Sequence, residues 1–237
     1  MNSIKKTARS AGLLWLLMAI TGGFGLFYIR SYVIVPGDAA ATAANLSASE
    51  SMFRLAVTST LIAQVFFFFF GLMLYRLFKE TDKRLATALA ASVMMTTGLG
   101  VINQINNFGA LLVLSGQDFL KVFSPEQLNA VAMIFLRQAN SSGQALLEIF
   151  WVPYYFSFGL LIVRSGYLPK IIGVLLMISS MGFAVNLLDK FLVPTFYPAA
   201  FTQLAMTLSA VSVLPAMLWL LIKGANPEGP AVEQLGG

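Results

Sequence analysis

The sequence predicts an all-α, polytopic membrane helix bundle of six transmembrane helices plus a short amphipathic helix on the outer side. Three observations carry that reading. Of 237 residues, 58% are hydrophobic and 11% charged, and the mean hydropathy is +0.80, whereas soluble domains hold roughly 25% charged residues. Six apolar segments, approximately 10–32, 53–78, 85–115, 144–164, 170–193 and 201–223, reach the roughly 20 helical residues that a ~30 Å hydrocarbon core requires. The Lys and Arg residues stand at the ends of these segments rather than on one polar face, so the +5 net charge points to lipid headgroups and not to nucleic acid.

The first segment follows Lys5, Lys6 and Arg9. It is too long for the apolar region of a signal peptide and is expected to stay attached as an anchor. The outer loop Pro36–Ser51 carries two helix starts, Asp38 before an Ala-rich turn and Ser47-Ala48-Ser49-Glu50 as a capping box. That loop, with Asp38 and Asn45, is expected to be ordered and to lie over the outer mouth of the bundle as a lid. The second and third segments meet at a basic inner turn. Beyond the third, Ser124-Pro125-Glu126-Gln127 supplies an N-cap, a first-turn proline and a capping-box glutamine. Leu128, Val131, Ala132, Phe135 and Ala139 then recur at helical spacing, which predicts an amphipathic helix. Asn140-Ser141-Ser142-Gly143 is expected to divide it from the fourth span. The bundle forms a single domain over 1–223, and residues 224–237 read as a disordered cytoplasmic tail.

Orientation follows from the basic residues. With the N-terminus inside, Lys5, Lys6, Arg9, Arg76, Lys79, Lys83, Arg84, Arg164, Lys170 and Lys223, ten of the fifteen, are cytoplasmic. This places the chain in a cell membrane, inner or plasma, with both termini cytoplasmic. Tyr28, Tyr32 and Tyr197 then mark the outer interface and Tyr75, Tyr167 and Trp219 the inner one.

Several local patterns together carry a resemblance. They are Arg9-x-x-Gly12 opening the first helix, Pro-Gly-Asp-Ala at 36–39, Thr42-Ala43-x-Asn45, Leu74-Tyr75-x-Leu77, and Ser165-Gly166-Tyr167-Leu168-Pro169-Lys170-x-x-Gly173. Over nearly the whole chain this layout resembles the bacterial domain-of-unknown-function family 4386. The resemblance implies a six-helix integral membrane protein and no established activity.

The absence of Cys and His excludes disulfides, thiol catalysis, His-ligated haem and histidine general bases, and no cofactor or metal is expected. The chemistry that remains is carboxylate and amide chemistry inside the bundle. At 1.5 Å per residue from the inner helix ends, Gln64 lies about 18 Å up, Glu148 and Asn186 about 24 Å, and Asn103 and Asp189 about 28 Å. Asn103, Asn106 and Asn107 share one helical face, as do Asn186, Asp189 and Lys190. This predicts an outward-facing polar pocket of Glu148, Asn103, Asn107, Asn186, Gln64 and Asp189, with Arg54 or Arg137 as the counter-charge of Glu148. Pro153 adds a carbonyl, that of Ile149, which receives no N–H from the proline.

Glu148 is either a functional group or a packing clasp, because a carboxylate in hydrocarbon needs a partner, a proton or water. The asparagines read equally as interhelical clasps, and Asp189-Lys190 as an interfacial pair. Binding or moving a small polar or amphipathic ligand, a small molecule or a lipid, fits the outer polar cluster, although the inner half offers no continuing polar path. A membrane scaffold or partner subunit is the alternative. A lipid-modifying enzyme ranks last, since no Asp-x-x-Asp run or metal motif is present.

Overall fold

Helix follows helix along the chain, as apolar runs punctuated by Gly, Pro and Asp dictate in a lipid solvent where every backbone amide must be bonded internally. The computed structural model describes residues 2–191 and 199–226. The helices are α1 (Asn2–Tyr28), α2 (Ala39–Ala48), α3 (Glu50–Phe78), α4 (Lys83–Val113), α5 (Pro125–Arg137), α6 (Gly143–Ser165), α7 (Lys170–Phe191) and α8 (Ala199–Ile222). Wider π turns at Ile29–Val33 and Gln138–Ser142 extend α1 and join α5 to α6, and a short 3-10 turn spans Asp118–Leu120. Among the described residues, five helical runs are long and apolar enough to cross a membrane: Ser3–Val33, Glu50–Phe78, Lys83–Val113, Pro125–Ser165 and Lys170–Phe191. α8 adds the apolar stretch Val211–Ile222. The chain is an all-α membrane helix bundle, and α5 is its short amphipathic helix.

The described residues form two compact units. The first draws on 2–17, 66–97, 147–191 and 199–226, the second on 18–65 and 98–146. Packing in the first unit is aromatic at its centre. Trp15 lies 4.9 Å from Phe70 and 5.9 Å from Phe158, ring centre to ring centre, and Phe158 also meets Phe78 and Tyr154. Glycines then let backbones approach closely. A Cβ on Gly12 would stand 2.4 Å from the Leu221 nitrogen, and one on Gly159 would stand 2.4 Å from the Gly173 carbonyl oxygen. At the turn between α3 and α4, Asp82 caps α4 through the Leu85 N–H at 3.0 Å and pairs with Arg164 at 2.5 Å.

The second unit is built around Ile29, Val33, Leu46, Phe53, Val57, Ala110, Leu111, Ala132 and Leu136. The segment between α1 and α3 enters this core: Asp38 caps α2 by accepting from Ala41 N–H at 2.8 Å, and Leu46 is buried. Ser124 and Gln127 close the expected capping box on α5.

Four expectations change. Ser47-x-x-Glu50 is not a capping box, because α2 runs on to Ala48 and Ser49 ends it, with α3 starting at Glu50. The Asn140–Gly143 stretch widens the helix into a π turn instead of breaking it. Tyr167 is no headgroup anchor: it is buried and stacks on Phe78. Gly224–Asn226 are packed, with Ala225 buried and the Asn226 N–H bonded to the Tyr167 carbonyl at 2.9 Å. The rest of the proposed tail, together with Tyr197, lies outside the described residues.

Candidate functional site

In the first unit, α6 and α7 bring Glu148 and Asn186 together. The Asn186 amide donates to Glu148 Oε2 at 2.5 Å, and the Lys190 ammonium stands 3.5 Å from Glu148 Oε1. Helical periodicity explains the grouping, since Asn186 and Lys190 are one turn apart on α7 and address the same residue of α6. Glu148 is 3% exposed, whereas the Lys190 side chain is 37% exposed. A buried carboxylate is therefore held by one short amide bond and by an ammonium that still reaches solvent. The 3.5 Å separation exceeds the ~2.7–2.9 Å of a charge-assisted hydrogen bond.

Asp189 lies on the same α7 face, three residues beyond Asn186. Its Oδ1 is buried and meets no hydrogen-bond partner among the described residues. Near Glu148 on α6, Pro153 lies inside the helix and has no N–H to give the Ile149 carbonyl.

The counter-charge differs from the expected one. Arg54 is exposed and pairs with Glu50, one turn earlier on α3, at 2.7 Å. Arg137 is exposed at the end of α5. Lys190, read from sequence as the interfacial partner of Asp189, is the cation at Glu148. Its spacing of four from Asn186 was the available signal.

Asn103, Asn107 and Gln64 belong to the second unit, where amides meet amides and backbone. Asn103 donates to the Ala139 carbonyl at 2.8 Å, and Asn106 donates to Asn103 Oδ1 at 3.2 Å. Asn107 donates to Gln104 Oε1 at 2.8 Å. The Gln64 carboxamide lies against Gly100, whose absent Cβ would stand 2.7 Å from it. Gln64 Oε1 and Asn107 Oδ1 are buried with no partner among the described residues. Arg30 donates to the Asn140 carbonyl at 2.7 Å, so two carbonyls of the π turn accept from side chains of other helices. Asn103 is in this respect a clasp. Asp38 and Asn45 hold the segment that carries α2, the first as the α2 cap and the second by donating to the Val33 carbonyl at 3.4 Å.

Among the described residues, no three His, Cys, Asp or Glu side chains are grouped to hold a metal ion. No curated protein and no solved structure matches the chain. One family model does, that of a domain of unknown function, DUF4386, over residues 10–224. With nearly its whole helical bundle inside that match, the chain belongs to the DUF4386 family of domains of unknown function.

Proposed function

We propose that the protein binds, and in a membrane moves, a small polar or amphipathic ligand at the Glu148 cluster of α6 and α7. The observation that carries this reading is the burial of Glu148 to 3% exposure on a run long and apolar enough to span a membrane, with one oxygen only loosely engaged by Lys190. A carboxylate kept for packing alone gains most when both oxygens are saturated. The host membrane is the cell membrane, inner or plasma, with both termini cytoplasmic, because ten of fifteen basic residues then lie inside.

The saturated contacts of Asn103 and Arg30 on the π turn favour a second reading, a scaffold or partner subunit whose polar groups only fix helix packing. A thermal-shift panel of amino acids, amines, carboxylic acids and polyols on purified protein, run in parallel on Glu148→Gln, separates the two. Stabilisation by a compound that vanishes in the variant supports binding. A panel without effect, or with effects unchanged in the variant, supports the scaffold.

A further inference from the structure

We propose that the pocket between the end of α4 and the start of α5 holds the upper methylenes of one acyl chain of a bilayer phospholipid. The proposal is independent of the Glu148 reading, which concerns the other unit. The backbone turns at Gly116, whose φ of +71° favours glycine. Val113, Leu120, Phe123 and Leu128 then wall a pocket of about 220 Å³. Val113 and Leu120 are buried, yet nothing lies within 4 Å of the place a Gly116 Cβ would take. Protein interiors are packed without such gaps, and an apolar cavity of ~150 Å³ already takes a benzene ring. The pocket has room for a short run of methylenes.

Two observations name the occupant. The first is continuity with the lipid-facing surface of α4. Ile102, Ile105, Phe108 and Leu112 recur at spacings of three and four on one face and are exposed on a run long and apolar enough to cross a membrane. This strip leads to Val113 at the pocket wall, and beyond it Phe119, Val122 and Phe123 are exposed as well, Val122 to 80%. Such a contiguous apolar surface calls for a cover other than water. Depth agrees. The 31 residues of α4 rise about 46 Å, close to the ~40–45 Å of a bilayer with its headgroups, so Val113 lies near the level where a lipid's chains leave its glycerol. The second observation is charge. Lys121 belongs to the pocket wall, but its ammonium is paired with Asp118 at 2.6 Å. The rim is therefore neutral, and a carboxylate finds no unspent cation among the residues of the pocket. Such a site selects a chain and not an anionic headgroup.

Photolabelling in phosphatidylcholine vesicles tests this. The probe is phosphatidylcholine with a diazirine either near the ester or at the far end of one acyl chain, and labelled residues are mapped by mass spectrometry. The diazirine near the ester is expected to concentrate on residues 113–129 over the strip 102–112, and the terminal one is not. Leu128→Trp and Asn129→Trp, at two half-buried positions of the wall, should each fill the pocket and abolish that enrichment. Ile134→Trp, exposed on α5 and outside the pocket, should keep it. A melting temperature for each variant verifies folding, and either filler alone is decisive. Exchanging phosphatidylcholine for phosphatidylglycerol in host and probe should leave the enrichment unchanged. Enrichment that survives the fillers, or labelling spread evenly along 102–129, would overturn the proposal. Enrichment confined to phosphatidylglycerol would make a headgroup, not a chain, the thing recognised. Absence of label on 113–129, with a bifunctional amine reagent joining two copies at Lys121, would give the pocket to a second copy of the chain and overturn it as well.

Discussion

The Asn186 amide holds the Glu148 carboxylate at 2.5 Å across α6 and α7, and the two residues sit the same number of positions from the helix ends that meet at the α6–α7 turn, Arg164 and Lys170. Equal rise per residue brings them level, and the bond fixes one carboxylate oxygen while Lys190 attends the other. The pair is costly to half-remove and cheap to replace. Asn186→Leu should lower stability by about 1–3 kcal/mol, because Glu148 Oε2 loses its donor in a buried place. The double variant Glu148→Leu with Asn186→Leu should recover wild-type stability. Thermal melts of the four corners of the cycle in detergent would show this, and a double variant weaker than either single one would make the pair a stability element.

Glu148→Gln should change the melting temperature little, by less than about 1 kcal/mol in stability. The glutamine oxygen still accepts from Asn186, and the cation it abandons is more than a third exposed and hydrates freely. A loss as large as the ~3–5 kcal/mol of a broken buried ion pair would mean that Lys190 is locked in place.

Tyr154 is 1% exposed, and its hydroxyl meets no partner among the described residues. Tyr154→Phe should raise stability by about 1 kcal/mol, since it removes an unsatisfied buried group and leaves the ring against Phe67 and Phe158. A lower melting temperature would reveal a bond to that hydroxyl.

Gly159→Ala should cost about 1–3 kcal/mol by overpacking, because its Cβ would stand 2.4 Å from a backbone oxygen that cannot rotate away. Gly98→Ala is the matched control. Nothing lies within 4 Å of its Cβ position, and alanine's helix propensity should add up to about 1 kcal/mol. Equal effects of the two would deny the close α6–α7 approach.

Topology is testable without background because the chain has no Cys. Single cysteines at Ser47 and Gln117 should react with an impermeant thiol reagent in intact cells, and those at Glu80 and Lys170 should not. All four positions are exposed, unlike Ser165, which is fully buried and would stay silent on either side. Labelling at Lys170 would reverse the inside assignment of the α6–α7 turn.

The helices were legible because apolar length and flanking charge are sequence properties, and the level of Glu148 with Asn186 was legible because helical rise is constant. Arg54 was misread although its i,i+4 partner Glu50 stood in plain view, because local pairing at a helix start outweighs a distant carboxylate. The π turn was not legible: Gln-Ala-Asn-Ser-Ser reads as a break, and the donors that meet two of its carbonyls, Asn103 and Arg30, come from other helices. That in turn hid the role of Asn103, whose acceptor is a backbone carbonyl with no signature in the sequence.

The Arg30–Asn140 bond spans 110 positions of the chain, which sets a timetable for biogenesis. At about 5–20 residues per second, the guanidinium at the end of the first helix emerges on the order of ten seconds before the carbonyl that will receive it. During that interval the guanidinium must donate to water or lipid instead. The junction between the fifth and sixth helices therefore closes onto a residue that has waited for it, and a nascent chain stalled short of Asn140 would leave the guanidinium without that acceptor.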